Sequence, residues 1–340
     1  MKTNKIIQIK KMGFPWETQD PFLFCAHHRD EYPEGDEQMG LAINHLEGRN
    51  IGQDFVVKDG FRMYHGSHIP GFPYHPHRGF ETITINKEGF VDHTDSLGAA
   101  GRFGAGDVQW MTAGKGIQHS EMFPMVHQDK KNTLEIFQVW LNLPKSDKFV
   151  EPHFKMLWED MVPEVTSEDE EGRKTIVNVI AGSLHEIQAP KPTPNSWAAT
   201  PEHGVSVMTI KLEPNATWKL PRTTIKEVNR TLYFYSGESI KVAGEKLTEY
   251  HLVQLNPEED IELENGFKDG YLLLLQGKPI NEPVAQHGPF VMNTEAEIQE
   301  AFSDYRKTQF GGWPWPNQEQ VHEREKGRFA FHADGTKEIK

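Results

Sequence analysis

Apolar and polar residues alternate with a period of two along much of this chain, the pattern of strands that bury one face. Phe80-Glu81-Thr82-Ile83-Thr84-Ile85 has an alternating strand pattern, regular from Thr82 on, and Gly106–His119 reads as strand, glycine-rich turn, strand. Further strands are expected at 175–179, 205–212, 232–235, 252–255, 261–263 and 271–275, parted by turns at Pro214-Asn215, Ser236-Gly237 and Asn265-Gly266. Many short strands with little helix between them predict an all-β chain of barrels or sandwiches. One helix interrupts the pattern. Thr294-Glu295-Ala296-Glu297 forms a capping box ahead of the stripe Ile298, Ala301, Phe302, Tyr305, and Gly311-Gly312 should stop it. The following Trp313-Pro314-Trp315-Pro316 is expected to pin the tail onto a barrel, with polyproline-type recruitment of a partner as the alternative. Residues 319–340 are polar and expected to fray.

The chain is 340 residues long, enough for more than one core. An acidic stretch near 163–172 reads as a solvated loop or linker, with a docking site for a basic partner as the alternative. The expected organisation is therefore a first domain at 1–155, a linker at 156–172, a second domain at 173–290, and a helix with a tail at 291–340. A faint internal repeat sets Phe80–Gly89 against Asn229–Gly237, and Val108–Trp110 against Val253–Leu255. Charge narrows the partners. Lys plus Arg total 36 and Asp plus Glu 50, a net charge of −14, and no long basic run occurs, so direct nucleic-acid binding is not expected. Cys25 is the only cysteine, which excludes an intramolecular disulfide and a thiolate metal cage. Met1–Lys11 lacks an apolar stretch long enough for a signal peptide, and Tyr271–Leu275 is far too short to span a bilayer. A cytoplasmic protein without membrane contact is expected.

Candidate chemistry lies in two pairs at spacing i, i+2: His75 with His77, and His119 with Glu121. On strands each pair points to one face, and on neighbouring strands the two pairs converge. Three imidazoles and one carboxylate suit a divalent first-row transition metal. With 17 histidines in the chain a chance His-x-His is not rare, so the strand context of both pairs carries the argument. No His-x-His occurs in the second half, where the repeat sets Thr223 and Ile225 opposite the first pair, and Glu264 and Gly266 near the second. One metal per chain is expected. Glu81 shares parity with His75 and His77 and should orient a ligand histidine, with direct ligation as the alternative. Arg78 could steer an anion or form a surface ion pair. Phe80, Trp110, Met111, Met122 and Phe123 are expected mainly as barrel core, with the lining of an apolar pocket for an aromatic substrate as the alternative. His65, His68 and His93 lack paired spacing and read as ordinary polar residues.

These stretches resemble the two cupin motifs: Gly71, His75, His77, Glu81 and Gly89 for the first, and Gly106, Thr112-Ala113-Gly114 and His119 for the second. HPHRGFETIT, GDVQWMTAGKGIQHSEM, FQVWLNLP and EPVAQHGPFVMNTEAEI are similar to one branch of that superfamily, the pirins. The resemblance covers most of residues 15–310. It implies a bicupin, two antiparallel jelly-roll barrels with a C-terminal helix and one metal in the first barrel. Carried over position by position, the ligands would be His75, His77, His119 and Glu121. The metal implied is Fe(II), while the donor set also admits Zn, Ni, Co or Mn.

Three functions follow as expectations. The first is a quercetin 2,3-dioxygenase-like activity on a flavonol or another enolate aromatic, with Glu121 as ligand and catalytic base. Three neutral imidazoles, one carboxylate and a divalent ion sum to +1, which matches a monoanionic substrate. The second is a non-catalytic iron- and redox-dependent regulator of a protein partner, such as a transcription factor or metabolic enzyme. The third is a structural metal site in a binding module.

Overall fold

The structure, a computed structural model, describes residues 5–340 and is built almost entirely from antiparallel strands. Two compact units emerge, and both are interleaved in sequence: Met1–Cys25 with Asp160–Asn281, and Ala26–Glu159 with Glu282–Lys340. Ile6–Lys11 pairs with His251–Leu255, and Phe329–Phe331 pairs with Ala100–Gly104, so each end of the chain completes a sheet far from it in sequence.

The unit of 26–159 and 282–340 holds two facing sheets. One is five-stranded, with spatial order His153–Leu157, Val108–Thr112, Phe80–Glu88, Asn132–Asn142, Phe22–Tyr32. The other is six-stranded, with order Lys337–Ile339, Phe329–Phe331, Ala100–Gly104, Phe90–Asp95, Ile117–Met122, Gly71–His77. Met111, Phe103, Ile136, Phe154 and Met156 lie in an apolar core that draws on both sheets. Trp110, Met122 and Phe123 are fully buried, as expected of barrel core. The helix Glu295–Thr308 has the expected capping box and buries Ile298 and Ala301 against Phe290, Met292 and Phe310.

Trp315 Nε1 donates to the Asp95 carbonyl at 2.8 Å, so the 313–316 segment pins the tail as expected. The expected fraying of 319–340 is corrected: Phe329–Phe331 and Lys337–Ile339 extend the six-stranded sheet.

The other unit packs a seven-stranded sheet against a four-stranded one. The larger has the order Ile6–Lys11, His251–Leu255, Asn229–Ser236, Gly270–Gly277, Ser206–Leu212, Lys174–Ala181, Glu164–Glu168. The acidic stretch expected as linker is partly this last strand, whose residues alternate between exposed and half-buried at the sheet edge. Charge is what an exposed edge requires if it is not to pair with another chain. Leu232, Phe234, Met208, Ile210, Leu272 and Leu274 fill the core. No helix among the described residues is long and apolar enough to cross a membrane.

Candidate metal centre

Gly71–His77 is the edge strand of the six-stranded sheet, and there Pro73 and Pro76 remove no ladder hydrogen bond that the sheet depends on. Its register sets His75 beside His119 and His77 beside Ile117, with a bulge between Phe72 and His75. Gly71, at φ +132°, lets the two strands close up: a Cβ there would stand 2.5 Å from the Glu121 carbonyl oxygen. The two expected pairs therefore share one face of adjacent strands. Ring centroids lie 4.5 Å apart for His75 and His119, 4.8 Å for His75 and His77, and 4.9 Å for His77 and His119. One ring nitrogen from each lies within 4.8 Å of the others.

Hydrogen bonds fix which nitrogens face inward. His75 Nδ1 lies 2.8 Å from the Pro73 carbonyl, and His77 Nδ1 lies 3.4 Å from the Pro289 carbonyl. A carbonyl only accepts, so each Nδ1 carries the proton and each Nε2 keeps its lone pair. Neither nitrogen of buried His119 has a hydrogen-bond partner among the described residues. Burial lowers all three pKa values, His75 to about 4 and the other two well below their usual value, so the rings are neutral at pH 7.

Glu121 stands at the rim of the cluster, its Oε2 3.9 Å from His119 Nε2. The five-stranded sheet holds it from across the barrel: Thr84 Oγ1 donates to Oε1 at 2.9 Å and Gln138 Nε2 to Oε2 at 2.8 Å. Burial raises its pKa, and these two donors oppose the rise.

Glu81 departs from expectation. Thr84 reaches Glu121, so the even-numbered residues of Phe80–Glu88 face the cluster and Glu81 faces away, accepting from Thr112 Oγ1 at 2.7 Å. Counting parity from His77 fails because the chain turns at Gly79, φ +86°, and passes from one sheet to the other. Arg78 forms an ion pair with Asp304 at 2.8 Å, the bland alternative.

Two further residues at the site carry little sequence signal. His93 is fully buried beside Glu121 in register, its ring 5.5 Å from that of His119, with Nε2 3.3 Å from Asp95 Oδ2. The shared parity of His93 and Asp95 on one strand was the available clue. Trp140, its ring 5.6 Å from that of His77 and 4.3 Å from that of Phe80, forms an aromatic wall.

The donor set fits a divalent metal. Neutral, buried imidazoles with inward lone pairs need no deprotonation or rearrangement, and His119 has no hydrogen bond that would keep a ring nitrogen from an ion.

Comparison with known proteins agrees with this architecture. Residues 9–141 match the Pirin family profile, and residues 207–311 match the Pirin C-terminal cupin domain. The chain is 34% identical to human (Homo sapiens) pirin over 287 residues, 82% of this chain and 91% of that protein. It is 37% identical over 242 residues to a candidate quercetin 2,3-dioxygenase of Pseudomonas aeruginosa, 71% of this chain and 79% of that protein. Among solved structures, a quercetin 2,3-dioxygenase from Acinetobacter baumannii superposes with a TM-score of 0.69 at 27% identity, over 91% of this chain and 98% of that one. With both cupin domains matched over most of its length, the chain belongs to the pirin family.

Proposed function

We propose that this chain is a metal-dependent oxygenase acting on enolizable aromatic substrates of the flavonol type. The observation that carries the reading is the buried three-imidazole cluster with Glu121 at its rim. The A. baumannii quercetin 2,3-dioxygenase, alike in fold along nearly its whole length, supports the substrate class. His75, His77, His119 and Glu121 would hold one divalent ion, Fe(II) in this reading. When bound, such an ion supplies positive charge for an enolate and a redox couple for dioxygen chemistry.

The protein's own groups do the rest. Glu121, at the rim of the imidazole cluster, takes the substrate hydroxyl proton. Thr84 and Gln138 fix the orientation of that carboxylate. Trp140 and Phe80 give an aromatic ring a flat apolar neighbour beside His77. His93 and Asp95 support the histidine strand from its other side.

Aerobic depletion of quercetin, followed by absorbance, tests this. The wild-type chain loaded with ferrous ion should turn over, and His77→Ala should lose at least about a hundredfold of the rate. Iron bound with no turnover would reject the oxygenase and favour a redox-dependent regulator instead. The carboxylate's support has its own test. Gln138→Leu removes one of the two donors to Glu121 and should weaken metal binding about tenfold in competition with a chelator. Unchanged affinity would remove Glu121 from the ligand set.

A further inference from the structure

The second barrel holds a charge that its own fold leaves unanswered. Arg230 is the second residue of Asn229–Ser236 and is only 5% exposed. Among the described residues, no group accepts a hydrogen bond from its Nε or Nη1. Register sets Arg230 beside Gln276, and Gln276 beside Ser206, so the three side chains form one row across three adjacent strands and share a face. The next row on that face is Leu232, Leu274 and Met208, all in the apolar core. The polar row therefore caps the inside of the barrel at one end. Gln276 and Ser206 are as deeply buried as Arg230, and Gln276 Nε2 donates to the Gly204 carbonyl at 3.0 Å. Asp260 acts on Arg230 only through space, and its Oδ1 accepts from the Arg222 backbone N–H.

Position strengthens the case. Asn229–Ser236 lies between His251–Leu255 and Gly270–Gly277, just as Phe80–Glu88 lies between Val108–Thr112 and Asn132–Asn142. In the first barrel the imidazole cluster lies against the first half of that strand, at Phe80 and Thr84. Arg230 occupies the start of the corresponding strand, on the inward face. A buried guanidinium with open donors is costly to the fold unless an anion or another acceptor completes it.

We propose that this end of the second barrel binds a small carboxylate anion, paired with Arg230 and flanked by Gln276 and Ser206. A planar carboxylate matches the planar guanidinium. Arg230 is a single cation that already feels the Asp260 carboxylate through space, so a monoanion is the most it can accept, and a phosphate dianion would add a charge that nothing answers. This site is independent of the metal and of the proposed oxygenase activity.

The test is an NMR titration of the full-length chain, reading the Arg230 Nε–H resonance at constant ionic strength against sodium chloride. Acetate and benzoate should each give a saturable shift. Arg230→Met should abolish the rise in unfolding temperature that these anions give the wild type, and Gln276→Leu, which keeps the charge, should weaken binding at least about threefold. Should Arg230→Met fail to fold, the wild-type titration and Gln276→Leu still decide the matter. Three outcomes would overturn the proposal: no saturable shift with either carboxylate, the same shift with chloride, or saturation by inorganic phosphate at lower concentration than by both carboxylates.

Discussion

Changing His119 to alanine should reduce bound metal from about one ion per chain to less than about a tenth, read by elemental analysis of protein purified without added metal. The effect should exceed that of any other single substitution at the site. His119 sits at the middle of the donor set, its ring within 5 Å of those of both His75 and His77 and its Nε2 facing Glu121. It is also the imidazole with no hydrogen bond to hold it in place of an ion. His75 and His77 each keep a carbonyl contact through Nδ1 whether or not metal is present. The fold should survive, because alanine on a central strand removes a ring without stranding a charge. Metal retained at the wild-type level would show that the trio is a packing cluster and not a ligand set.

Arg102→Met should destabilise the unit that holds the imidazole cluster by about 3–5 kcal/mol, measured by urea unfolding of the metal-free chain. Arg102 is buried and pairs twice with buried Asp92, Nε to Oδ1 at 2.7 Å and Nη2 to Oδ2 at 2.8 Å. Its remaining donors reach the carbonyls of His322, Glu323 and Arg324, at 2.9 to 3.1 Å. Methionine fills much of the volume but leaves the Asp92 carboxylate buried with the His322 backbone N–H as its remaining described donor. It also frees three carbonyls and loosens the tail. The double variant Arg102→Met with Asp92→Leu should recover part of the loss, because removing both charges of a buried pair costs less than removing one. Asp92 begins the run that places His93 and Asp95 beside Glu121 and His119, so the single variant should weaken metal binding too. A loss below about 1 kcal/mol would place the pair among surface ion pairs, where the gain is small.

The sequence carried the site further than it carried the chain's path. The paired spacings of His75 with His77 and His119 with Glu121 needed only the two-residue period of strands, and that period holds within each strand. It fails across Gly79, where the chain changes sheets, and so Glu81 turned out to face away. His93 was hidden for a different reason: a lone histidine acquires meaning only from the strand beside it, and that pairing joins residues far apart in sequence. The helix from Glu295 was legible because a capping box is local chemistry. The ordering of residues 319–340 was not, because Arg102 grips that stretch through backbone carbonyls, which every residue possesses and none advertises. The interleaved units were equally silent, since Ile6–Lys11 completes its sheet through main-chain hydrogen bonds to a distant strand.

Anomalous diffraction from a crystal soaked in ferrous salt without oxygen, recorded on both sides of the iron absorption edge, tests the central claim most directly. The account predicts one strong peak per chain within bonding distance of His75 Nε2, His77 Nε2, a ring nitrogen of His119 and a carboxylate oxygen of Glu121. A map with no peak among these four residues, or with the strongest peak elsewhere on the chain, would contradict it.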